Sequence, residues 1–106
     1  MTKVGEHITL DIIGTTKEYD PSVFEKVINE IAKAANVTIL NVSKYKFEPQ
    51  GFTILALLAE SHISFHTFPE KGIISFDFFT CGNVSPLVAL DIIKKEFKHK
   101  RIVKKE

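Results

Sequence analysis

Phe52 to Gly82 reads F-T-I-L-A-L-L-A-E-S-H-I-S-F-H-T-F-P-E-K-G-I-I-S-F-D-F-F-T-C-G, and this stretch decides the fold. Phe52 to Ala59 is nearly all apolar, which predicts a central strand covered on both faces. Ile63 to Phe68 and Ile73 to Phe79 are rich in isoleucine and phenylalanine and predict two further strands. Pro69-Glu70-Lys71-Gly72 supplies the turn between them. Glu60, Ser61, His62, Ser64, His66, Thr67, Glu70, Asp77, Thr80 and Cys81 are set among these apolar residues. A buried polar group costs free energy unless it is hydrogen-bonded, so this density marks a site without naming a reaction.

The rest of the chain builds around these strands. Val4 to Ile13 alternates, with Ile8, Leu10 and Ile12 on one side and His7, Thr9 and Asp11 on the other, the pattern of a half-buried strand. Gly14-Thr15-Thr16 breaks it, and Asp20-Pro21 reads as a helix N-cap followed by proline at the first helical position. Val23, Val27, Ile31, Ala34 and Ala35 form the apolar stripe of that helix, and Asn36 supplies a left-handed stop. Val37 to Phe47 returns to β character with Val37, Ile39 and Val42 inward, and Glu48-Pro49-Gln50-Gly51 turns the chain. Ser85-Pro86 repeats the cap-plus-proline signal before a second helix with Leu87, Leu90, Ile93 and Phe97 inward. Arg101 to Val103 reads as a short last strand. The order β-α-β-β-β-β-α-(β) predicts an α+β fold: a two-layer sandwich of a mainly antiparallel sheet with two helices on one face. Residues 1–106 read as a single domain.

Composition narrows the class. The chain has 106 residues, 44% hydrophobic and 25% charged, with a net charge of +1, the profile of an ordinary soluble domain with one core. That charge gives no case for nucleic acid, and the basic run Lys94 to Lys105 reads as a solvated helix end. A single cysteine, Cys81, excludes an intrachain disulfide and fits a reducing compartment. No signal-peptide core and no membrane-length apolar run is present. A cytoplasmic protein is the expectation.

Spacing tests the chemistry. His62 and His66 would share an ion on a helix, but on a strand they lie roughly 13 Å apart at about 3.3 Å per residue, so no metal is expected. The five glycines are scattered singly, which leaves no phosphate loop. Nucleophilic chemistry remains: Ser61 follows Glu60 at a tight connection between strands, and His66 and Cys81 are near enough in sequence to meet across adjacent strands. Spacing alone equally admits Ser61 as a turn residue, His66 as a hydrogen-bonded core histidine and Cys81 as a small buried hydrophobe.

Ala59 to Glu70, A-E-S-H-I-S-F-H-T-F-P-E, followed by Phe79-Thr80-Cys81-Gly82, resembles the signature of prokaryotic S-adenosylmethionine decarboxylases. Gly5 to His7 and the Phe-x-Pro-x-Gly of Phe47 to Gly51 match the same pattern. The resemblance implies that the proenzyme cuts itself into 1–60 and 61–106. Ser61 would attack the carbonyl of Glu60, and elimination would leave a pyruvoyl group in place of Ser61. That group would form a Schiff base with the substrate amine and act as electron sink, with no metal and no pyridoxal phosphate. His66 would serve the proton transfers of processing, and Cys81 would reprotonate the substrate carbon. Phe47 and Phe68 would flank the adenine, Glu70 would accept from the ribose hydroxyls, and Thr53 would line the pocket. The chain departs from the family pattern at Thr53-Ile54 for Ser-Gly, at Tyr45-Lys46 for His-Arg and at Phe68 for tryptophan.

The implied activity is decarboxylation of S-adenosylmethionine for spermidine synthesis by a homodimer of processed protomers, with no nucleic-acid or membrane partner. Two other readings stand beside it. One is a pyruvoyl-dependent arginine or ornithine decarboxylase; the other is an unprocessed homologue that binds a ligand or a partner.

Overall fold

Alternation along the strands is borne out in a computed structural model that describes residues 5–15, 18–59, 61–80 and 85–105. The elements are β1 (Glu6–Ile13), α1 (Pro21–Ala34), β2 (Ile39–Lys46), β3 (Phe52–Leu58), β4 (Ser61–Phe68), a one-turn 3-10 helix (Pro69–Lys71), β5 (Ile73–Thr80), α2 (Val88–Glu96) and β6 (Arg101–Lys105). The six strands form one sheet in the order β2-β3-β4-β5-β1-β6, and every pairing in it is antiparallel. The two-layer α+β architecture is therefore as expected, and the sheet is wholly antiparallel among the described residues.

One face of the sheet makes the core. Ile8, Leu10 and Ile12 of β1, Ile54, Ala56 and Leu58 of β3, Ile63 and Phe65 of β4, and Ile74, Phe76 and Phe78 of β5 are buried with Val27, Ile28 and Ile31 of α1 and Ala89 and Ile93 of α2. Phe24 of α1 ties the layers together. Its ring lies 4.8 Å from that of Phe52, 5.1 Å from Phe65 and 5.1 Å from Phe97. Full burial of one such side chain contributes about 1.5–3 kcal/mol, and offset or edge-on ring contacts add to it.

Several expectations need correction. The stripe of α1 also buries Phe24, Ile28 and Ala32, whereas Ala34 is exposed. Leu87 is 44% exposed because α2 begins one residue after it, and Ser85 caps the preceding turn through Leu87 N–H instead of the helix itself. Val42 is on an edge strand and is largely exposed. Most consequentially, β3 is covered on one face only: Leu55 and Leu57 are 45% and 53% exposed. The cause is layer count. Both helices share one core on the same side of the sheet, and no described element covers the other. Among the described residues no helix is long and apolar enough to cross a membrane.

The start of α1 follows its sequence signal. Asp20 Oδ1 accepts the Ser22 N–H at 2.9 Å, and Pro21 takes the first turn. That backbone hydrogen bond, helped by the Ser22 hydroxyl, holds the Asp20 carboxyl below its ordinary range. A carboxyl depressed on folding stabilises above its unfolded pKa, and the contribution is lost as the pH falls through its folded value. Asp20→Ala is therefore expected to lower the thermal midpoint at neutral pH, with the gap to wild type closing in acid; thermal melts of both proteins across pH check this.

Candidate active site

Ser61 opens β4. Leu58, the last residue of β3, is its register partner across β3 and β4. On the other side Ser61 pairs with Thr80, the last residue of β5. Ser61 is 7% exposed, and its Oγ finds no hydrogen-bond partner among the described residues. A buried hydroxyl left unpaired costs about 1–3 kcal/mol, which singles this oxygen out. Gly5 closes in on the same end: a Cβ there would come within 2.7 Å of the Thr80 carbonyl oxygen and 2.6 Å of the Phe79 ring. Glu60 and Cys81, the chain neighbours of Ser61 and Thr80, lie outside the described residues.

His66 is at the other end of β4. Its register partners are Thr53 on β3 and Ser75 on β5, away from the Thr80 end of β5; the expectation that His66 and Cys81 meet across adjacent strands involves Cys81, which lies outside the described residues. It lies five positions along the strand from Ser61, roughly 16 Å at about 3.3 Å per residue. By alternation Ser61 shares the helix side with Ile63 and Phe65, and His66 belongs to the opposite face. His66 Nδ1 instead hydrogen-bonds Thr53 Oγ1 at 2.9 Å.

Around that pair the remaining expected ligand-binding residues converge. Phe47, Thr53, His66, Phe68 and Glu70 line one open pocket of about 360 Å³, with Gln50 beside them; ligand sites run from roughly 300 to 1,000 Å³. The Glu48–Gly51 loop sets one wall. Phe47 N–H donates to the Gly51 carbonyl at 2.8 Å, and Gly51 takes φ +90°, a conformation open to glycine. Phe52 N–H donates to Thr67 Oγ1 at 2.9 Å, which pins the strand ends behind the pocket. Tyr45 packs on Phe47 with ring centroids 4.9 Å apart, and Lys71 Nζ lies 5.8 Å from the Phe68 ring centre. Gln50 was not singled out in the sequence, although its place inside Phe-x-Pro-x-Gly could have flagged it.

On the open face, His62, Ser64 and Asp77 of the polar-rich stretch gather with His7 of β1, a partner that no local signal indicated. Asp77 accepts from His7 Nε2, from His62 Nε2 at 3.0 Å and from Ser64 Oγ at 3.1 Å. Burial pushes its carboxyl up, but the hydrogen bonds from His7, His62 and Ser64 outweigh this and hold it below the usual range.

The chain is similar to known proteins along nearly its whole length. A family model described as S-adenosylmethionine decarboxylase matches residues 6–106. S-adenosylmethionine decarboxylase proenzymes of Brevibacillus brevis and Methanococcus maripaludis are 37% and 40% identical to the chain. Each alignment covers 96% of this chain, and 79% and 86% of the respective relative. The crystal structure of the adenosylmethionine decarboxylase from Aquifex aeolicus superposes with a TM-score of 0.85 at 35% identity, covering 99% of this chain and 89% of that one. With the family model matching residues 6–106 and relatives aligned over nearly its full length, the chain belongs to the S-adenosylmethionine decarboxylase family.

Proposed function

We propose that this chain is a self-processing, pyruvoyl-dependent S-adenosylmethionine decarboxylase of the cytoplasm that supplies aminopropyl groups for polyamine synthesis. Family membership supports the activity, and relatives named as proenzymes support the processing. The observation that carries the site is the buried Ser61 hydroxyl at the start of β4, without a hydrogen-bond partner among the described residues. Adding to the Glu60 carbonyl, this oxygen converts the peptide bond into an ester. Loss of the Ser61 Cα proton then breaks the C–O bond, Glu60 leaves as a carboxylate, and water replaces nitrogen as ammonia departs. The products are 1–60 and 61–106. A pyruvoyl group in the place of Ser61 supplies an electrophilic carbonyl for the substrate amine and an electron sink as carbon dioxide leaves.

The chain's other residues hold substrate and protons. Phe47 and Phe68 offer faces on which an adenine stacks, and Glu70 accepts from ribose hydroxyls. His66, oriented by Thr53, moves protons during processing, and Cys81 returns one to the substrate carbon. Phe47, His66, Phe68 and Glu70 line a pocket far from Ser61 of the same chain, so the reading requires two copies. The His66 end of one β4 then serves the Ser61 end of the other. The uncovered face of the sheet, with Leu55, Leu57 and Tyr45 exposed, supports a homodimer closed face to face.

Intact-mass analysis under denaturing conditions tests the reading. Two fragments meeting at Glu60/Ser61 are expected, the second lighter by one ammonia than a serine-started chain; a single stable chain overturns self-processing. His66→Ala alone is expected to stay uncut, and to be cut when co-expressed with differently tagged Ser61→Ala, which supplies the intact His66. A folded His66→Ala chain left uncut in that mixture removes the composite site. Cys81→Ala is expected to process yet release carbon dioxide from carboxyl-labelled S-adenosylmethionine about 10²-fold more slowly or worse. The same assay with arginine and ornithine is expected to give no release.

A further inference from the structure

Three neighbouring strands place two imidazoles and a carboxylate together on the open face, next to Ser61 in register but with no part in the chemistry proposed above. Phe79 of β5 is the register partner of both His62 on β4 and His7 on β1. Asp77, two residues back along β5, points from the same face between them. Phe79 fixes the rings: His62 stacks on it with centroids 6.0 Å apart and planes at 19°, and His7 meets it edge-on at 6.2 Å. Both imidazoles then present the same nitrogen, Nε2, to opposite oxygens of Asp77. Their ligand atoms and the carboxylate oxygen all lie within 4.8 Å of one another.

We infer that His7, His62 and Asp77 form a site for a single divalent transition-metal ion of the zinc class. Two imidazoles and one carboxylate are the donors that zinc takes at about 2.0–2.2 Å, and imidazole nitrogen disfavours magnesium and calcium, which prefer oxygen. Ligand atoms this close need only small side-chain rotations to surround an ion. The rigid sheet supplies the backbone positions, which is how precise sites are built. Ser64, 6% exposed, donates its hydroxyl to Asp77 Oδ2, the outer hydrogen bond that orients a ligating carboxylate. His7 and His62 side chains are 51% and 40% exposed, so a fourth position remains open to water. Each histidine ligates as a neutral imidazole through Nε2, with its single ring proton on Nδ1.

The inference is independent of the decarboxylase reading and its test reads metal, not turnover. Full-length protein, stripped with chelator, is titrated with Co²⁺ and followed by its visible absorption, then competed with Zn²⁺. One ion per chain is expected, with a raised melting temperature in zinc. His7→Gln and Asp77→Asn are each expected to weaken binding at least tenfold, and Ser64→Ala about tenfold. His66→Gln and His99→Gln, which alter the chain's other two histidines, are expected to leave it unchanged. No uptake by the stripped wild-type protein overturns the site, as does uptake that His7→Gln, the most exposed of the three positions, does not diminish. Circular dichroism on each variant separates lost ligation from lost fold.

Discussion

The antiparallel register that locks β4 between β3 and β5 governs everything else in this molecule. It puts Ser61 opposite Leu58 and Thr80, and His66 opposite Thr53 and Ser75. A slip of one residue would turn Phe65 and Ile63 to solvent and drive His62, Ser64 and His66 against the helices. The cost of burying two imidazoles without partners holds the register as firmly as the gain from burying the two apolar side chains. Chemistry and core are therefore fixed by the same ladder of hydrogen bonds.

A sheet with helices on one side only leaves a physical imbalance. Its helix side carries a continuous apolar core, whereas its open side mixes Leu55, Leu57 and Tyr45 with His7, Asp77 and His62. Exposed leucines in the centre of a sheet are an unsatisfied surface, and a second sheet laid across them is the usual resolution in two-layer folds. The polar half of the same face tolerates water better. The open face thus has an apolar side toward β2 and β3 and a polar side toward β1 and β5.

Much of this was legible in the chain. Period-two alternation marks β1 because Ile8, Leu10 and Ile12 have only one core to face, and Asp20-Pro21 marks α1 because its capping chemistry is local. Phe47, Thr53, Phe68 and Glu70 were gathered by motif, and the pocket brings those four together. What stayed hidden is long-range. Nothing local says that β1 slots between β5 and β6, so His7 and Asp77, 70 residues apart, could not be paired from spacing. Likewise the apolar run of β3 looks the same whether its second face is covered by its own chain or bare. The separation of Ser61 from His66 was implicit in their being five residues apart on one strand, and nearness in sequence masked it.

Strand order gives the molecule one further property. Residues 1–60 contribute β1, β2 and β3, and residues 61–106 contribute β4, β5 and β6. Across the sheet these alternate as a pair from the first segment, a pair from the second, then one strand from each. The halves are woven together at three seams, β3–β4, β5–β1 and β1–β6. Chain continuity at Glu60–Ser61 is thus redundant for holding the sheet, since parting the halves would mean unzipping all three seams and opening the core beneath them. The peptide bond there is one the fold can spare.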